Sequence, residues 1–136
     1  MVRMKALMVR QPYATWIING EKTLEWRSWR TDYRGPLAIC TPQKQSPELI
    51  AYLNGKAKED GFSSADFPLG VALGIVELID CIPFLPEYLE SAKMTHIPAP
   101  SGWAWVMKSF GRFRNLQPVK GELHIFEIDL TESASA

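Results

Sequence analysis

The chain has 136 residues, 46% of them hydrophobic and 22% charged, a size that fits one domain with one core and a composition that excludes wholesale disorder or a disulfide scaffold. Fifteen Lys and Arg balance fifteen Asp and Glu, so attraction to a polyanion has to come from where charge sits and not from its total. Cys40 and Cys81 lie in apolar runs as small hydrophobes. With His96 and His124 as the two histidines, no segment gathers ligands at zinc spacing, and neither metal nor cofactor is expected.

Residues 4–9 read as a short apolar strand. The basic then apolar N-terminus is broken by Arg10 and Gln11, too early for a signal-peptide core or a spanning helix, so no membrane segment and a cytoplasmic location are expected. Pro12 suits the first turn of a helix in which Tyr13, Trp16 and Ile17 share helical spacing, and Asn19-Gly20 closes it in a left-handed turn. Residues 23–27 alternate as a strand, with Thr23, Glu25 and Arg27 on one face and Leu24 and Trp26 on the other. A polar loop over 28–35 leads to a buried strand at 36–41.

Ser46-Pro47-Glu48 starts a helix, with a capping hydroxyl, a proline at the first position and an acid at the positive end of the dipole. That helix runs to Gly55 or, with a break, to Gly61. Residues 56–67 read as a surface excursion with little chemistry. The long apolar run at 70–82 is the central strand, 85–93 a short helix, 95–102 a proline-rich loop, and 103–113 and 122–130 two closing strands. The domain covers 1–130, and 131–136 form a polar tail expected to be mobile. Six strands with inserted helices make an α+β pattern able to curl into a small closed or partly open barrel.

Lys22 emerges from the helix-to-strand turn, Glu25 lies three residues on, and Arg27 shares the face of Glu25. At a barrel mouth, Arg27, Arg30 and Arg34 would meet phosphates, while Tyr13, Trp16 or Trp29 would offer a base a surface. Each has a plainer reading: the charged trio as a solvated face, Trp16 as core, Trp29 as an anchor of its loop, and Gln11 as structural instead of a base-edge reader. Glu77 and Asp80 interrupt the central strand, facing solvent or holding Lys22 or an arginine. His96 and His124 read as ordinary loop and strand residues. No Ser/His/Asp spacing supports nucleophilic catalysis.

Arg10-Gln11-Pro12 with Tyr13 and Trp16, then Gly20-Glu21-Lys22-Thr23-Leu24-Glu25-Trp26-Arg27-Ser28-Trp29-Arg30, then Tyr33-Arg34-Gly35-Pro36-Leu37, form a pattern that resembles the ASCH domain of the PUA-like superfamily. The likeness continues through Phe67-Pro68, Gly70, the stretch from Gly74 to Cys81, and Val119-Lys120-Gly121, covering roughly 7–128. The resemblance implies a PUA-like β-barrel of about six strands with two or more helices at its mouth, and a cleft that receives RNA or a nucleobase. Two activities of the wider group, hydrolysis of N4-acetylated cytidine and RNA cleavage, would use the same cleft. The amidohydrolase branch is similar to Gly-x-Lys-x-x-Thr-x-Arg, with the lysine and threonine catalytic. Here Glu25 holds the threonine position, and a carboxylate does not replace a hydroxyl nucleophile without a change of mechanism.

The expectation is binding of single-stranded RNA or a modified nucleoside in a basic, aromatic cleft, in RNA metabolism or transcription coactivation. Its ligand contacts would come from Gln11, Tyr13, Trp16, Arg27, Ser28, Trp29, Arg30, Arg34, Lys44 and Ser101. In a metal-independent hydrolase of the same cleft, the alternative, Lys22 would be base or nucleophile and Glu25 would orient it or shuttle a proton. An adaptor that docks a protein partner is the third reading.

Overall fold

The computed structural model describes residues 1–131, so the expected tail beyond Thr131 lies outside the described residues. The strands are β1 (Val2–Met8), β2 (Leu24–Arg27), β3 (Gly35–Cys40), β4 (Val71–Pro83), β5 (Trp103–Pro118) and β6 (Ile125–Leu130). The helices are α1 (Tyr13–Ile18), α2 (Pro47–Asn54) and α3 (Ala57–Asp60). All strands join one mixed sheet in the order β2-β5-β4-β3-β1-β6. The pair β1/β3 is parallel and the others are antiparallel, because the α1–β2 crossover returns the chain beside β1 in the same direction.

Strand alternation buries both faces of the sheet's middle. Leu7, Leu37, Ile39 and Leu73 point into one cluster, which α1 completes with Ala14, Ile17 and Ile18. Their neighbours Ala6, Ala38, Cys40 and Ala72 point the other way, into a cluster with Phe113, Phe126, Ile128 and Leu130. A third cluster packs Leu24 and Ala104 under Phe84 and Ala92, which fixes the 84–97 segment against β2.

The α+β architecture is as expected; the closed barrel is not formed. Among the described residues β2 and β6 are the two edges of the sheet, with no backbone ladder between them. β2 has four residues and β6 six, too little strand to close the ring. Side chains span the seam instead. Trp29, two residues past β2, meets the His124 ring just before β6 edge to face at 4.7 Å, and Arg27 Nη2 donates to the Met8 carbonyl at the end of β1. Three register shifts along β4/β5 and one in β3/β4 bend the sheet.

Two connections differ from expectation. Residues 85–93 make a 3-10 turn at Pro86–Tyr88 rather than a helix. Their later carbonyls are taken by tertiary partners: Ser91 accepts from the Thr23 and Leu24 amides and Ala92 from Lys22 Nζ. The 56–67 excursion holds α3 and a 3-10 turn, and it delivers Phe67, 2% exposed, into ring contact with Tyr52 and Phe62. The helix at Ser46 begins as its sequence implies, with Ser46 Oγ accepting from the Leu49 amide at 3.0 Å.

Candidate functional site

The open seam beside β2 holds a cleft of about 410 Å³, within the usual size range of small-ligand sites. Its wall takes Met8 from the end of β1, Arg10 just after it, Tyr13 from α1, Glu25, Trp26 and Arg27 from β2, Lys22, Ser28 and Trp29 from either side of β2, and Pro42 and Met94 from distant loops. The connection from α1 into β2 turns at Gly20, whose φ of +85° suits glycine. That turn delivers Lys22 beneath the first ring of α1.

Lys22 is 2% exposed. Its Nζ donates to the Ala92 carbonyl, lies 3.4 Å from Glu25 Oε1 and sits 5.3 Å from the centroid of Tyr13. Burial lowers its pKa and nearby Arg27 lowers it further, while Glu25 opposes both. Arg27 Nη2 is 3.1 Å from Glu25 Oε2, so one carboxylate serves two cations, one from each oxygen. The Arg27 Nε is buried without a hydrogen-bond partner, a donor left free in a side chain that lines the cleft.

Three cations, Arg10, Lys22 and Arg27, face two carboxylates, Glu25 and the Glu48 that pairs with Arg10 at 3.2 Å. The balance is one positive charge, which suits one anionic or strongly polar group rather than a run of phosphates. Around it stand the rings of Tyr13, Trp26 and Trp29. Trp26 is oriented by its Nε1 donating to the Ser101 carbonyl at 2.8 Å. Bare backbone at Gly102 admits that indole, since a Cβ there would lie 2.6 Å from Trp26 Nε1. Trp29 is held edge to face against Trp105 at 4.7 Å, and its carbonyl accepts from Trp105 Nε1 at 3.2 Å.

Of the residues singled out from sequence, Tyr13, Lys22, Glu25, Arg27, Ser28 and Trp29 come together at this cleft. Gln11 is fully buried, its side-chain amide engaged by Thr15 and the Pro68 carbonyl. Trp16 faces a different hollow. Arg30 pairs with Asp32 at 2.7 Å and lies over Trp103, while Arg34 pairs with Asp80 at 3.2 Å. Lys44 is exposed on the loop after β3, and Ser101 contributes its backbone carbonyl to Trp26. Met8, Arg10, Trp26, Pro42 and Met94 are lining residues that the sequence reading left out. Arg10, beside Gln11-Pro12, carried a local signal; Pro42 and Met94 arrive by tertiary folding alone. Among the described residues no three His, Cys, Asp or Glu cluster as a metal site, and no helix is long and apolar enough to cross a membrane.

The profile of the ASCH domain matches residues 7–129. Activating signal cointegrator 1 from Homo sapiens is 32% identical to the chain over 129 residues. Its Mus musculus counterpart is 30% identical over the same length. Each alignment covers 90% of this chain and 22% of the relative, so the chain spans about a fifth of the length of the curated relatives it matches. The extent of the profile match, from the end of β1 to β6, settles the classification: the chain belongs to the ASCH domain family.

Proposed function

We propose that the seam cleft binds one base of single-stranded RNA, or a modified nucleoside, as a recognition module in RNA metabolism or transcription coactivation, acting in the cytoplasm. The observation that carries this reading is the partly exposed Arg27 guanidinium beside three aromatic side chains in a hollow of nucleoside size. Stacking on Tyr13, Trp26 or Trp29 supplies affinity that tolerates any base, and Arg27 selects a ligand with a carbonyl or phosphate oxygen. Glu25 holds Arg27 in place. The names of the relatives, as signal cointegrators, agree with a module that serves a larger assembly.

The single positive charge makes salt dependence shallow. One phosphate contact gives a slope of about −0.7 in log affinity against log salt, about 2.6-fold between 50 and 200 mM. Titration of cytidine, N4-acetylcytidine and short RNA oligonucleotides, followed by tryptophan fluorescence, checks this. Arg27→Lys keeps the charge, removes the planar guanidinium fork and weakens binding about tenfold. A slope of −3 or steeper, indifferent to Arg27→Lys, would move binding to the outer surface and end this reading.

A hydrolytic reading is favoured by one observation: a buried lysine with lowered pKa, 3.4 Å from a carboxylate, at the cleft wall. In that case N4-acetylcytidine is converted to cytidine and acetate in the same titration, and Lys22→Met stops turnover while the ligand still binds.

A further inference from the structure

The segment expected to be a plain excursion builds a second hollow, about 700 Å³, on the far side of Met94 from the first. One wall is aromatic: Trp16 of α1, Tyr52 of α2 and Phe62 after α3. Trp16 and Tyr52 meet edge to face at 5.3 Å and 85°, an arrangement that spends the edge of one ring on the face of the other. A cation already uses the Trp16 ring. Lys93 Nζ lies 5.8 Å from its centroid, from a backbone with φ of +58°, which lysine rarely adopts.

The remaining lining sets three carboxylates, Glu21, Asp60 and Glu90, beside Lys56 and two uncharged residues, Met94 and Thr95. Asp60 is engaged, accepting from the Tyr52 hydroxyl at 2.6 Å and lying 3.6 Å from Lys56 Nζ. Glu21 and Glu90 are exposed and form no ion pair among the described residues. Burial, then Asp60 and Glu21, hold the Tyr52 phenol above its ordinary pKa, as a negative field should.

We propose that this hollow docks a lysine side chain, methylated or not, from a basic segment of a partner protein. An ammonium over an indole with carboxylates around it is the chemistry of aromatic recognition of alkylammonium groups. Three carboxylates against Lys56 and Lys93 leave one net negative charge, which disfavours a phosphate backbone on this side. Lys93 shows the occupant within the chain itself: a lysine side chain over the indole, resting where the partner's would. It is therefore also a built-in competitor. The partner lysine displaces it and takes Glu21 and Glu90 as counter-charges.

The test is titration of the full chain, followed by amide NMR shifts, with Gly/Ser hexapeptides that carry one lysine, one trimethyllysine or one norleucine, and with spermidine. The lysine and trimethyllysine peptides bind, and the norleucine peptide binds at least about fivefold more weakly. Lys93→Ala tightens the lysine peptide about two- to fivefold by freeing the indole, and the Glu21→Gln, Glu90→Gln double variant weakens it about fivefold. Both variants alter exposed residues, and an unchanged urea midpoint verifies their fold. Arg27→Lys leaves the peptide affinity as it was, which separates this site from the seam cleft. Equal binding of norleucine and lysine peptides, no binding at all, or loss of affinity in Lys93→Ala overturns the proposal. Spermidine binding more tightly than any peptide, or an RNA oligonucleotide shifting the same amides, overturns the assignment to a protein partner.

Discussion

Replacing Glu25 by Gln removes the one anion shared by Lys22 and Arg27 while keeping the shape of the side chain. Arg27 has exposed surface and the Met8 carbonyl, so most of the loss falls on Lys22, at 2% exposure. Stripping a buried charge of its partner costs about 3–5 kcal/mol. The chain has an escape, since Lys22 can shed its proton; holding an ordinary lysine neutral at pH 7 costs about 4.6 kcal/mol, which caps the penalty. The expected loss at pH 7 is therefore about 3–4.6 kcal/mol. Its pH dependence identifies the cause. The native pKa of Lys22 lies below its ordinary value, so across that window the unfolded chain binds the proton that the native chain has lost. Stability then rises with pH at about 1.36 kcal/mol per unit. Glu25 raises this pKa, and without it the window extends to lower pH. The deficit of Glu25→Gln against the parent is thus largest at neutral pH and shrinks by at least about 1 kcal/mol by pH 9. Urea unfolding of both proteins at pH 7, 8 and 9 measures it, and a deficit constant across that range refutes the reasoning.

Gly74→Ala would place a Cβ 2.4 Å from the Gly111 carbonyl oxygen and 2.9 Å from Ile18 Cδ1; because the first obstacle is backbone, the cost is about 3 kcal/mol and about 10 °C in Tm, read by thermal unfolding. Burial pushes the Cys40 thiol up to about 12. Mass spectrometry should therefore find iodoacetamide labelling of Cys40 at pH 8 at least about a thousandfold slower in the native protein than in urea. Labelling at the unfolded rate would mean that β3 opens far more readily than its buried position allows.

Periodicity found each of the six strands, because their apolar alternation is local. It shortened β5, where Gly111 adopts φ of +113° and Arg112, Arg114 and Gln117 interrupt the apolar pattern while the ladder with β4 continues to Pro118. The shared face of Glu25 and Arg27 was legible from their spacing of two. The burial of Lys22 was not, since its acceptor, Ala92, is seventy residues away. Asp32 pairs with Arg30 within the same loop, whereas the pairing of Asp80 with Arg34, one of the alternatives its place in the central strand left open, needs the fold to be known. The aromatic hollow drew no notice because its walls come from α1, α2, the stretch after α3 and the 90–95 turn, none of which carries a motif alone.

Met94 lines both hollows, and the chain on its N-terminal side is tethered to β2 through Ser91 and Ala92. A thioether has three soft torsions, so a guest that turned it in one chamber would reshape the wall of the other. Any effect of such a guest on affinity in the opposite chamber would be returned by the same factor, as thermodynamic reciprocity demands. A single flexible side chain would make the domain a coincidence detector for its two kinds of guest.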